Sequence, residues 1–163
     1  ATVCSRGMNN TAKLVISIIV PLAIGATSGL FTETGVGSWY QTIQKPSWNP
    51  PGWIFGPVWT TLYILMGISL YLIWKSDATP SLKWLAILLF ALQLALNFFW
   101  SLIFFNQHAI GWALVEIIVL WLSILATIFV FARINNTAAW LLVPYISWVS
   151  FAGILTYTIW KLN

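Results

Sequence analysis

Apolar residues neither alternate along this chain nor recur at helical spacing; they come in long, nearly unbroken runs. Five can be marked off: Leu14–Phe31, Trp53–Trp74, Leu82–Phe105, Ala109–Ala132 and Ala138–Trp160. Their lengths of 18, 22, 24, 24 and 23 residues are each close to the ~20 that carry a helix across a ~30 Å hydrocarbon layer. Continuous apolarity over such lengths excludes a transmembrane barrel, whose strands alternate over ~10 residues. The pattern predicts an all-α membrane protein, a bundle of five transmembrane helices. Residues 14–163 form its single domain and residues 1–13 an N-terminal tail. The first connection, Thr32–Gly52, has 21 residues; the others have 7, 3 and 5. Connections this short make neighbouring helices antiparallel and leave no room for a soluble domain.

Composition agrees. The chain is 60% hydrophobic and 6% charged, against about 25% charged residues in a soluble domain, and its mean hydropathy is +0.89. It could not clothe a surface facing water, and it is far too apolar for a disordered chain. The seven cations are scattered, with no basic run to grip nucleic acid. The single cysteine, Cys4, excludes an intrachain disulfide framework. Arg6, Lys13, Lys75, Lys83 and Arg133 fall at one end of the spans, and Lys45 and Lys161 at the other. The positive-inside bias therefore predicts a cytoplasmic N-terminus and an external first loop. Although Arg6 and Lys13 flank the first run, it exceeds the 7–15 apolar residues of a signal peptide and no A-x-A site follows. It is read as a retained helix, and the tail Ala1–Asn10 is set aside.

Helix contacts have signals of their own. Gly25 and Gly29 make a GxxxG in the first span, and Ala91 and Ala95 a small-xxx-small pair in the third. Small residues four apart let backbones approach closely in lipid. Packing within the bundle is the preferred reading of both pairs over a dimer seam. Pro21 and Pro144 lie within spans, where a missing N–H predicts kinks.

Enzyme constellations are nearly absent. His108 sits in a three-residue connection and reads as a solvated loop residue. Cys4, Glu33, Asp77 and Glu116 are too dispersed for a metal site. No serine, histidine and acid form a known motif, and no glycine-rich phosphate loop is present. Polar groups inside the spans say more. Gln93 and Asn97 lie four apart in the third span and Glu116 lies in the fourth. An ionisable group at membrane depth should face the bundle interior or water and have a partner. A polar clamp of Glu116 with Asn97 or Gln93 and a direct ligand contact are both open readings.

The densest signal is aromatic. Trp39-Tyr40 precede Lys45-Pro46-Ser47-Trp48-Asn49-Pro50-Pro51-Gly52-Trp53, where paired prolines stiffen the approach to the second span. Trp59 and Tyr63 follow four residues apart, and Trp100, Trp112, Tyr145 and Trp148 add further rings. Twelve tryptophans exceed what an interfacial belt at the ends of five spans requires. A belt, and a concave site whose flat rings suit a planar apolar ligand, both fit the pattern.

These residues resemble the TspO/translocator protein family of tryptophan-rich sensory proteins, which includes the peripheral benzodiazepine receptor. The matching stretches are Trp39-Tyr40, Gln44-Lys45-Pro46-Ser47-Trp48-Asn49-Pro50-Pro51, Gly56-Pro57-Val58-Trp59 with Leu62-Tyr63 and Met66-Gly67, Gln93-Leu94-Ala95-Leu96-Asn97, Gly111-Trp112-Ala113-Leu114, and Pro144-Tyr145 with Trp148. They occur in family order over about three quarters of the chain; the first span matches only in character. The resemblance implies a five-helix bundle, often a homodimer, with a ligand pocket beneath the first loop. It implies binding of tetrapyrroles such as protoporphyrin IX, of sterols in some lineages, and of benzodiazepine-type drugs, with no required cofactor. Carried over, the pocket positions are Tyr40, Trp59, Tyr63, Asn97, Trp112, Glu116, Trp148, Ala152 and Leu155. Glu116 stands where the family often has aspartate. Leu155, Tyr157 and Lys161 fit the loose sterol pattern L/V-x-Y-x-K/R, with an interfacial anchor as the plainer reading of Tyr157 and Lys161. The leading expectation is a tetrapyrrole receptor or carrier with a role in porphyrin homeostasis or stress sensing. The alternatives are a light-dependent porphyrin-degrading enzyme, using Trp59 and Trp148, and a structural partner in a membrane complex. No inverted repeat or coupling-ion site supports active transport.

Overall fold

The computed structural model describes residues 9–30 and 38–163, at 106 the backbone alone; Cys4, Arg6, Phe31 and Glu33 lie outside them. Its described elements are helical: α1 (Asn10–Gly29), α2 (Trp39–Thr42), a 3-10 turn (Gly52–Ile54), α3 (Phe55–Trp74), α4 (Pro80–Ser101), a π turn (Leu102–Asn106), α5 (Ile110–Ala132), α6 (Asn136–Leu141) and α7 (Val143–Leu162). They combine into five segments long and apolar enough to cross a membrane: Asn10–Gly29, Gly52–Trp74, Pro80–Phe105, Ile110–Ala132 and Asn136–Leu162.

Four of the spans begin earlier than their apolar runs, two of them for a local polar reason. The Asn9 side chain accepts a hydrogen bond from the Ala12 amide at 2.7 Å and starts α1 four residues before Leu14. Asn135 does the same for Ala138 at 3.0 Å. Such caps satisfy amides that the first turn leaves free, and hydropathy does not register them. The two prolines behave differently. Pro21 stays buried inside a continuous α1. Pro144 marks a division of the fifth span into α6 and α7, and occupies the first turn of α7, where its missing N–H costs nothing.

Neighbouring spans close a ring in the order one, two, five, four, three: α1 lies against α3, α3 against α6, α7 against α5, α5 against α4, and α4 against α1. Polarity is inverted relative to a soluble protein. Ile19, Leu88, Leu92, Ile118, Leu122, Phe129 and Ile154 are at least half exposed on the outside. Ser17, Ser69, Gln93, Asn97, Thr127 and Thr156 are buried inside. Hydrocarbon is the solvent that accepts the first set and rejects the second.

Small residues act one by one rather than as motifs. A Cβ on Gly67 would lie 2.6 Å from Ile18 Cα and 2.7 Å from Ser17 O, so glycine alone lets α1 and α3 come this close. Gly25 packs on the Tyr63 ring, whereas a Cβ on Gly29 would meet nothing within 4 Å among the described residues; among them the GxxxG is therefore not one helix seam. Ala91 and Ala95 are exposed on α4, which overturns the preference for packing inside the bundle. At the end nearest the N-terminus the core is solid. Phe90 and Phe131 stack with centroids 6.2 Å apart, Ile73 and Ala138 are fully buried, and Ser69 Oγ donates to the Ala138 carbonyl at 2.7 Å.

Candidate functional site

At the opposite end residues 38–52 of the first loop fold back on the bundle. The single turn of α2 sinks Tyr40 to 3% exposure against Phe104 and Phe105, at centroid distances of 6.3 and 5.5 Å. Its hydroxyl donates to Asn49 Oδ1 at 2.9 Å. The Lys45 ammonium donates to the carbonyls of Tyr40 (2.7 Å) and Ile43 (3.2 Å) and stands 4.8 Å from the Tyr40 ring centre. Burial raises the Tyr40 phenol above its ordinary pKa, with the Asn49 hydrogen bond opposing. A second tie comes from Asn163: its Oδ1 accepts from the Gln44 amide at 3.1 Å, and its Nδ2 donates to the Gln44 carbonyl at 2.9 Å. Trp48 meets the edge of Phe151 at 5.8 Å.

Beneath this loop lies a cavity of about 540 Å³. Helix α1 contributes Leu22, Gly25, Ala26 and Gly29; α3 contributes Trp59, Thr60 and Tyr63; α7 contributes Trp148, Phe151, Ala152 and Leu155. Trp100, Ser101, Phe104 and Phe105 close it from the end of the third span. There the helix widens, with the Gln107 amide bonding back five residues to Leu102 at 2.9 Å. Consecutive Phe104 and Phe105 both turn inward, at 2% and 7% exposure. The rings brace one another. Trp59 stacks on Tyr63 at 5.7 Å and meets Trp148 almost perpendicularly at 6.5 Å. Trp148 also contacts Phe55 and Phe151. The buried indole N–H groups of Trp100 and Trp148 have no hydrogen-bond partner among the described residues.

Of the nine pocket positions expected from sequence, Tyr40, Trp59, Tyr63, Trp148, Ala152 and Leu155 line this cavity. Asn97 is buried behind it in a polar chain. Tyr63 Oη donates to Asn97 Oδ1 at 2.8 Å, Asn97 Nδ2 to Tyr145 Oη at 2.8 Å, and Tyr145 Oη to Gln93 Oε1 at 2.6 Å. The clamp between helices thus joins Asn97 and Gln93 to tyrosines, not to Glu116. Glu116 and Trp112 lie on a separate shallow groove with Leu96, Ile103 and Gln107. Trp112 is 73% exposed, and both Glu116 carboxylate oxygens are buried without a hydrogen-bond partner among the described residues. The spacing that pairs Trp112 with Glu116 cannot say which face of α5 carries them. Leu155 faces the cavity while Tyr157 is exposed and Lys161 lies over the Tyr157 and Trp160 rings, so the loose sterol triad is split across α7.

Trp100, one of the further rings in the sequence pattern, lines the cavity although it is outside the nine expected positions. Phe104 and Phe105 are additional contributors, and the spacing of Trp100 and Phe104, rings at i and i+4, is equally a signature of plain core. Asn49 and Asn163 act through contacts that no local pattern encodes. His108 is exposed as expected, yet its ring stacks on Trp39 at 4.2 Å from a left-handed backbone, φ 55. Among the described residues no group of three His, Cys, Asp or Glu could hold a metal ion.

Comparison with known proteins supplies the context for this geometry. A profile of the TspO/MBR family matches residues 17–161. The tryptophan-rich protein TspO of Chlorobaculum tepidum is 43% identical over 154 residues, covering 92% of this chain and 95% of that protein. Its counterpart in Archaeoglobus fulgidus is 42% identical over 154 residues, with 94% and 99% covered. The translocator protein of Bos taurus is 39% identical over 146 residues, with 89% and 86% covered.

Proposed function

The chain belongs to the TspO/MBR family, and from that premise we propose that this multi-pass membrane protein is a receptor or carrier for a planar tetrapyrrole such as protoporphyrin IX. Family membership supports a membrane receptor or sensor role; the ligand is our reading of the site. The observation that carries it is the convergence of Trp59, Tyr63 and Trp148 on one cavity of about 540 Å³, within the ~300–1,000 Å³ of small-molecule pockets. Indole faces favour a flat conjugated ligand, at roughly 0.5–1.5 kcal/mol per ring beyond the area buried. Gly25, Gly29 and Gly56 are also among its lining residues and bring no side chain into the space. Asn97 acts at one remove: by accepting the Tyr63 hydroxyl it orients that ring and keeps its polar end out of the apolar space. The same cavity suits sterol- or benzodiazepine-type ligands by shape.

The flanking features fall into place around this reading. Tyr40 and the loop tied down by Asn49 and Asn163 form the cover. Lys13, Lys75, Lys83 and Arg133 lie at the far end, so the positive-inside bias puts that end in the cytoplasm and the covered cavity on the other side. A homodimer would use the exposed face of α4 at Ala91 and Ala95.

Porphyrin quenching of tryptophan fluorescence tests the proposal. Trp148→Ala and Trp59→Ala should each weaken protoporphyrin IX binding about tenfold, near the upper end of a single ring's stacking energy, while far-UV circular dichroism stays unchanged. Equal titrations for both variants and the parent would defeat the assignment. Illumination of the bound complex separates reception from breakdown: a defined product over many turnovers favours catalysis, and stoichiometric bleaching favours binding alone.

A further inference from the structure

We propose that the end of the bundle opposite the cavity binds an anionic phospholipid, its phosphate at Lys83 and Lys75 and one acyl chain in the groove between α3 and α4. This is independent of what occupies the aromatic cavity. The groove has a volume of about 440 Å³ and is walled by Leu70 and Trp74 of α3, the Ala78–Pro80 connection, and Trp84 and Ile87 of α4, with Lys83 among them. Its walls are apolar except for that ammonium, and Trp84 stands 63% exposed at its side.

Lys83 lines this slot, and two more cations flank the end of α3 that walls it. Lys83 Nζ donates to the carbonyls of Trp74 (3.1 Å) and Ser76 (2.6 Å) at the close of α3, which uses two of its three N–H donors and leaves one. Lys75, next in sequence to Trp74, is exposed with its ammonium 5.2 Å from the Tyr71 ring centre. Lys13 reaches over from α1, 6.0 Å from the Trp74 ring centre. Against these three charges the connection offers one acid, Asp77. An alkyl-sized slot with a cationic rim and flanking indoles complements an amphiphile with an anionic head, and basic pockets between helix ends are where anionic headgroups bind. A sterol or a neutral lipid would fill the slot and leave the charges unanswered. A second copy docking here across a two-fold axis would set lysines against lysines.

Native mass spectrometry of the full chain, released from detergent containing equal dioleoylphosphatidylglycerol and dioleoylphosphatidylcholine, tests this. Phosphatidylglycerol should be retained in preference, and Lys75→Gln should lower its apparent affinity about fivefold, the usual effect of one cation at a membrane surface. Because Lys83 also secures the end of α3, the second variant is Ile87→Trp, which fills the slot without touching charge and should displace the lipid while circular dichroism stays unchanged. Lys45→Gln, at the other end, should leave the retention of phosphatidylglycerol unchanged. Equal retention of the two lipids, or a preference that survives both Lys75→Gln and Ile87→Trp, overturns the site. Displacement of the lipid by soluble glycerol 1-phosphate at matched concentration overturns the role of the slot. A change of oligomeric state with either variant assigns the surface to protein instead.

Discussion

The two ends of this bundle use the same apolar side chains and reach opposite results. Toward the N-terminal end, Phe90 and Phe131 stack face to face and Ile73, Ile124 and Ala138 are fully buried. Toward the first loop, large rings face glycines and alanines, and about 540 Å³ stays unfilled. Side chains of graded size interdigitate. Trp59 and Trp148 hold one another edge to face, and Tyr63 is seated on Gly25 and tied to Asn97, so these rings cannot swing in to fill the space. Between the two regions runs the chain Tyr63–Asn97–Tyr145–Gln93. Its hydrogen bonds are modest individually, about 0.6 kcal/mol each between membrane helices, but they set the ring that floors the cavity.

This contrast can be broken from either side. The largest expected effect is in the solid half: Phe131→Ala should lower stability by ~3–5 kcal/mol, read by unfolding in mixed micelles. The porphyrin affinity of the molecules that remain folded should be unchanged. Next comes Ala152→Trp, which adds a ring where there is room for one. Ligand affinity should fall at least about tenfold, while the unfolding midpoint shifts by less than the ~1–3 kcal/mol that overpacking a filled core would cost. If stability collapses instead, the space is not available to a ligand of this size.

The smallest effects concern the cover. Asn163→Ala removes both bonds to Gln44 and should speed hydrogen exchange at the Gln44 amide roughly fivefold, the equivalent of about one hydrogen bond's net worth. Tyr40 adds a pH dependence. Its phenol is raised by burial, so the folded loop holds the proton more tightly than the open one. The resulting stabilisation is complete below pH ~10 and is lost as pH rises through the higher, folded value. Loop protection should fade in that alkaline range, and Tyr40→Phe should flatten the profile; an unaltered profile in Tyr40→Phe assigns the transition to another group.

Six of nine expected pocket residues line the cavity because each lies on a face that its own element turns inward. Asn97, Trp112 and Glu116 show where that reasoning stops. Asn97 lies inside, but its amide is spent on two tyrosines. Trp112 and Glu116 lie along the seam of α5 with α4, away from the aromatic cavity, the indole turned outward and the carboxylate buried. Ala91 and Ala95 make the same point: small residues four apart state that a close approach is available, and only the order of helices around the ring states that nothing within the chain takes it up.

The chain by itself determined that it spans a membrane five times, because transfer of some twenty apolar residues into hydrocarbon is a local property that needs no partner. It determined the family as well, through aromatic and proline stretches in a specific order. Tertiary structure alone decided which tryptophans enclose a space and which meet lipid. A helix in a membrane carries apolar residues on its buried and its lipid-facing sides alike. The few buried polar groups do not say which rings lie beside them, so only the neighbouring helices choose which tryptophans face inside.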